Sequence, residues 1–290
     1  MFKGSMVALV TPFKNGKVDE KTLEKLVEFH IESGTTALVP CGTTGESATL
    51  SYAEHDKVIE LTVEYAKGRI PVIAGTGSNS TEEAIALTKH AKSAGADASL
   101  QVSPYYNRPT QKGLYLHFKA IAEAVDIPII LYNIASRTGV NIEPETMAKL
   151  SQVKGIIGVK EASGSLEQMA RIKKACNKDF LLISGDDALT LPVMAIGGVG
   201  IISVVANIIP KDVADMCSAF DKGNLKKAET LHYGMLDLVK AMFVETNPIP
   251  VKTAMGLLKM CDPEMRLPLC EMLPENKEKL VKALKEYKLI

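Results

Sequence analysis

Gly155-Ile156-Ile157-Gly158-Val159-Lys160-Glu161 is a short apolar run closed at once by charged residues. A run of this length and β-branched character predicts a buried strand. Its last residue, Lys160, then carries an amine out of an apolar wall. Desolvation disfavours the charged form of a lysine, and the neutral amine is the form that condenses with a ketone to a Schiff base. At the ordinary pKa about one lysine in 2,500 is neutral at pH 7, and a fall of roughly three units would make half of it reactive. One lysine among 29 means little, because most strand-end lysines simply extend their ammonium to solvent. The frame around Lys160 singles it out.

Similar apolar runs recur near 6–10, 37–40, 71–75, 98–102, 128–132, 180–184 and 200–204, each followed by a segment of helical period. Ser51-x-x-Glu54, Ser80-x-x-Glu83 and Ser165-x-x-Gln168 read as capping boxes. Pro144 and Pro210 suit a first helical position, and Gly34, Gly95 and Gly223 stand where helices should stop. Leu23, Leu26, Val27, His30 and Ile31 share one helical face, as do Val213, Met216, Cys217 and Phe220. Eight alternations with mostly apolar strands imply an α/β fold with an all-parallel sheet. The closed (β/α)8 TIM barrel suits eight units in 290 residues. A doubly wound open sheet fits less well, since no Gly-x-Gly-x-x-Gly follows the first strand. We therefore expect a catalytic barrel over 1–223 and a C-terminal helical domain over 224–290. The tail has too little core to stand alone and should pack on the barrel or on a neighbouring subunit.

Lys+Arg and Asp+Glu balance at 34 each, so no overall field favours nucleic acid or an anionic membrane. No segment reaches transmembrane length, and Met1-Phe2-Lys3-Gly4-Ser5 does not open a signal peptide. The five cysteines are scattered, odd in number and free of any Cys-x-x-Cys, which indicates neither a disulfide frame nor a zinc site. The expectation is a cytoplasmic protein.

The polar residues gather where strands end, which is where barrels of this kind do chemistry. They are Thr11, Gly42-Thr43-Thr44-Gly45-Glu46, Thr76 to Asn79, Ser103 to Asn107, Tyr132-Asn133 leading to Arg137, Lys160-Glu161, Ser184 to Asp187, and Ser203 to Asn207. The Gly42–Gly45 turn offers hydroxyls and backbone N–H groups to a small carboxylate, although an ordinary strand-to-helix turn reads the same way. Tyr132 is one unit from Lys160 and within reach of a forming imine; a core tyrosine with a satisfied hydroxyl is the plainer alternative. Tyr105-Tyr106 suits either the site or a partner subunit. Arg137 offers a planar fork to a second carboxylate, or is a solvated loop arginine. Glu46, Glu161, Asp186 and Asp187 are candidate Mg²⁺ ligands. Against that, all five histidines fall in helical segments, so no metal is expected. Gly197-Gly198-Val199-Gly200 precedes the eighth strand, at the opposite end, and reads as a tight turn.

Taken together, the stretches at 42–50, 71–77, 104–109, 131–133, 136–139, 158–162, 184–187 and 247–252 resemble the dihydrodipicolinate synthase family of the class I pyruvate aldolase superfamily, to which N-acetylneuraminate lyases also belong. The resemblance implies a lyase that condenses pyruvate with L-aspartate-4-semialdehyde to 4-hydroxy-tetrahydrodipicolinate, the entry step to diaminopimelate and L-lysine biosynthesis. No cofactor is needed beyond the covalent lysine–pyruvate imine. It implies that Lys160 forms the imine, and that Tyr132 moves protons through Thr43 to Tyr106 of a neighbouring subunit in a homotetramer. Thr44, Ile202 and Gly185 would line the pyruvate side, and Arg137 would take the aldehyde's carboxylate. An allosteric L-lysine site would fall on Ser47, Ala48, Leu50, His55, Asn79, Glu83 and Tyr105. Two departures stand out: Tyr52, where lysine-sensitive members often have histidine, and Ala135, where the family usually has proline, which should loosen the Arg137 loop. The alternatives are a related pyruvate aldolase acting on a sugar-acid aldehyde, a metal-dependent barrel enzyme, and a non-catalytic binding barrel.

Overall fold

The computed structural model describes residues 2–290. Eight parallel strands carry the architecture: β1 (Gly4–Ala8), β2 (Ala37–Val39), β3 (Ile73–Gly75), β4 (Ala98–Val102), β5 (Ile129–Asn133), β6 (Ile156–Glu161), β7 (Leu181–Ser184) and β8 (Gly200–Ser203). Their spatial order is β2-β1-β8-β7-β6-β5-β4-β3, and a parallel bridge between Leu38 and Val72 joins the two ends. The expected TIM barrel is thus present, with each strand within about two residues of its predicted place.

Two apolar layers follow from the pleat, because alternate side chains face opposite sides. Met6, Val39, Ile73, Leu100, Ile130, Tyr132, Ile183 and Ile202 fill the barrel interior. Val7, Leu38, Leu131, Val159, Leu182 and Ile201 face outward and pack under the helices. Leu238, Val239, Met242, Val251, Leu280 and Leu284 of the C-terminal segment join that same outer core. The helix Leu225–Ala241 lies on Pro210–Asp221 and on Pro274–Glu286, so the tail packs on the barrel.

Several local expectations need correction. The box at Ser51 and Glu54 closes in both directions. At Ser80 and Ser165 only the hydroxyl half forms, because Glu83 turns to Ser78 and Tyr52 while Gln168 turns to Asn141. Ala135 opens the single helical turn Ala135–Thr138, closed by Gly139 at φ +73°. The sequence reading also passed over a hairpin, Phe13–Lys14 with Lys17–Val18. Asn15-Gly16, both at positive φ, is its turn signal.

Candidate active site

Strand register places Tyr132 of β5 directly beside Lys160 of β6. Side chains at paired positions share a face, so both enter the barrel mouth. The Lys160 ammonium lies 4.3 Å from the centre of the Tyr132 ring. Each residue is only 6% exposed. Burial drives the amine down to about 8, with the Arg137 charge adding to the fall and the buried Asp187 opposing it. Roughly one copy in ten is then neutral at pH 7. Burial also pushes the Tyr132 phenol up to about 12, while Arg137 and the Thr43 hydroxyl oppose that rise. The phenol therefore stays protonated near neutral pH. It can lend a proton and take it back.

The neighbouring strand ends complete the pocket. After β7, Gly185 leaves room for the lysine stem, since a Cβ there would meet Ala162 Cβ at 2.7 Å and Lys160 Cε at 3.2 Å. Asp187 accepts hydrogen bonds from Ser203 Oγ at 2.5 Å and Val204 N at 3.0 Å; burial raises its pKa and these donors oppose the rise. Ile202 of β8 joins Tyr132 in the interior layer. After β2, the turn Gly42–Glu46 is held from the barrel by Thr11 Oγ1, which donates to the Gly45 carbonyl at 2.7 Å. On its other side, Thr44 Oγ1 accepts from Asn247 Nδ2 at 3.0 Å. Arg137, exposed at the rim, donates from Nη2 to the Asn247 carbonyl at 2.8 Å.

Lys160, Tyr132, Thr43, Arg137 and Gly185 thus converge. Tyr106 does not join them within one chain: it is 92% exposed with φ +72°. Of the residues grouped for an L-lysine site, Asn79 donates to the Tyr105 carbonyl at 3.2 Å. Glu83 is already engaged by the Tyr52 and Ser78 hydroxyls, and His55 Nε2 meets the Gly75 carbonyl at 2.9 Å. Leu50 N donates to the Ser47 carbonyl, and Ala48 between them is exposed.

The carboxylates read as candidate metal ligands have other partners. Glu46 pairs with Lys252, Glu161 accepts from Asn133 and Ser163, and Asp186 caps Ala188. Among the described residues no three histidines, cysteines or carboxylates are grouped to hold a metal ion. Asn247 and Lys252 were missed as participants because a helical tail carries no strand-end logic. The available signal was Lys252 itself, the one charge within Ile249–Leu257.

A parallel barrel with a desolvated amine and a phenol at its mouth defines a barrel enzyme. The chain belongs to the dihydrodipicolinate synthetase family, whose family model matches residues 1–287. It is 58% identical over its whole length, and that of the relative, to the 4-hydroxy-tetrahydrodipicolinate synthase of Syntrophus aciditrophicus. The Endomicrobium trichonymphae enzyme of the same name is 60% identical, again covering 100% of both chains. The dihydrodipicolinate synthase of Aquifex aeolicus superposes with a TM-score of 0.98 at 54% identity, over 99% of each chain. The Acinetobacter baumannii enzyme complexed with pyruvate gives 0.98 at 47% identity over 100% of both. The lysine-bound enzyme of Cyanidioschyzon merolae gives 0.96 at 44%, over 100% of this chain and 99% of that one.

Proposed function

We propose that this chain condenses pyruvate with L-aspartate-4-semialdehyde to 4-hydroxy-tetrahydrodipicolinate. The observation that carries the chemistry is the buried Lys160 amine beside the Tyr132 phenol. The neutral amine adds to the keto carbon of pyruvate, and the keto oxygen leaves as water with two protons that originate on the amine. Tyr132 ferries them, with Thr43 beside it. The imine nitrogen gains a proton as C3 loses one, which gives the enamine; it forms a carbon–carbon bond to the aldehyde carbon while the aldehyde oxygen takes a proton. The amino group of the second substrate then displaces Lys160 from the former keto carbon. This closes the ring and frees the enzyme. Holding both partners in one dry mouth supplies the orientation that the step needs.

Thr44, Gly185 and Ile202 form the pyruvate side, and Arg137 takes the aldehyde's carboxylate bidentately. Tyr106 serves a neighbouring protomer's relay in a homotetramer. The barrel over 1–223 is the catalytic unit, and the helical unit over 224–290 completes its rim. No metal or other cofactor takes part, and the enzyme works in the cytoplasm; no described helix is long and apolar enough to cross a membrane. The lysine-bound relative supports an L-lysine feedback site on Ser47, Ala48, Leu50, His55, Asn79, Glu83 and Tyr105. Its affinity here is weakened because Glu83 already satisfies Tyr52 and Ser78.

The deciding experiment is an aldehyde panel with pyruvate: turnover with L-aspartate-4-semialdehyde and none with sugar-acid aldehydes is expected. The reverse preference overturns the assignment.

A further inference from the structure

Glu46 ends the turn that presents Thr43 and Thr44, and it is grasped on both carboxylate oxygens. Lys252 Nζ sits 2.5 Å from Oε1, with both side chains wholly buried. Arg266 N donates to Oε2 at 3.2 Å. Glu46 itself adopts φ +54°, a left-handed conformation uncommon outside glycine. From there its backbone N–H donates to the Thr43 carbonyl at 3.1 Å. Lys252 Nζ lies 4.1 Å above the ring of Phe13, and the Arg266 guanidinium stands 4.3 Å from the same ring. Asn247, five residues before Lys252, holds Thr44 and accepts from Arg137.

Stability alone does not call for such a pair. Two charges taken fully out of water recover about what they lose, and apolar residues of similar volume often serve a fold equally well. A buried pair does fix one geometry, because neither partner can slide without leaving the other unpaired. We propose that the Glu46–Lys252 ion pair is a positioning device for the pyruvate side of the site. It registers residues 247–266 on the Gly42–Glu46 turn and so sets where Thr43 and Thr44 aim their hydroxyls. Both residues are positioning residues and touch no substrate. The inference rests on the reading of Thr44 as a pyruvate-side hydroxyl and of Thr43 as the relay hydroxyl beside Tyr132.

The test uses two double substitutions in the full chain. Glu46→Met with Lys252→Met removes both charges and leaves none uncompensated. Glu46→Gln with Lys252→Gln retains length and one neutral hydrogen bond. A misplacement of about 1 Å can cost about a hundredfold in rate. The Met pair, folded by far-UV circular dichroism, is therefore expected to raise the pyruvate KM roughly tenfold and to lower kcat. The KM for the aldehyde rises less, through the Arg137 bond to the Asn247 carbonyl, and the Gln pair falls between the Met pair and the parent. A folded Met pair with the parent's pyruvate KM overturns the proposal, as does an equal rise in both KM values. Failure of both pairs to fold also overturns it, since the ion pair would then serve folding. Thr44→Val separates the underlying reading: an unchanged pyruvate KM there removes the threonine role, whatever the ion pair does.

Discussion

The Lys160 amine is neutral only in part at neutral pH, because burial lowers it to about 8 and no further. Imine formation needs the neutral form, so kcat/KM for pyruvate should fall about tenfold for each pH unit below that value and level off above it. A pH–rate series checks this. A charged buried lysine is also a cost to the fold. The unfolded chain holds this proton up to its ordinary pKa of 10.5, the folded chain only to about 8, so the group's contribution to stability rises with pH between those values. Lys160→Met should abolish turnover yet stabilise the protein by about 3 kcal/mol at pH 7. That gain should fade between pH 8 and 10.5 in urea titrations. Lys160 and Tyr132 were legible in the sequence because each ends an apolar strand, and strand ends are where barrels carry chemistry. The Asp187 contact with Ser203 was not, since it joins two strand ends whose hydrogen bonding no local pattern encodes.

Between residue and molecule, the short elements set reach and selectivity. The helical turn Ala135–Thr138 holds Arg137 at the rim and ties it to the Asn247 carbonyl. Arg137→Ala should raise the KM for the aldehyde roughly 30-fold, the worth of about 2 kcal/mol for a charged hydrogen bond. Arg137 also lowers the Lys160 pKa, so the same variant should move the acid limb of the pyruvate profile to higher pH. A profile that stays in place contradicts that coupling. On the helix Tyr52–Ala66, Tyr52 donates its hydroxyl to Glu83. Tyr52→Phe releases that carboxylate and should lower the L-lysine concentration for half inhibition several-fold, read in an inhibition series. At this scale the sequence was informative wherever one signal acts alone: the caps, the proline starts and the glycine stops all appear where expected. It failed where a side chain had a distant competitor. Glu83 leaves its own helix start for Ser78 and Tyr52, and Gln168 leaves its start for Asn141.

At the scale of the molecule, eight strand–helix units announced the barrel, since period and length leave few other closed solutions. The part played by the tail was out of reach. Lys252 and Asn247 meet a turn some two hundred residues earlier in the chain, and a single sequence says nothing about contacts of that span. Tyr106 is exposed in the single chain, and the proposed relay assigns it to a neighbouring protomer. Tyr106→Phe should slow turnover without altering pyruvate capture, and dilution to a monomer should do the same, followed by activity across an ultracentrifugation series. The proposed chemistry depends first on the Lys160 amine. The direct measurement is reduction of the intact protein with borohydride in the presence of pyruvate, followed by peptide mass mapping. A single reduced pyruvate adduct on Lys160 is expected. An adduct on any other lysine, or none while turnover continues, would contradict that chemistry.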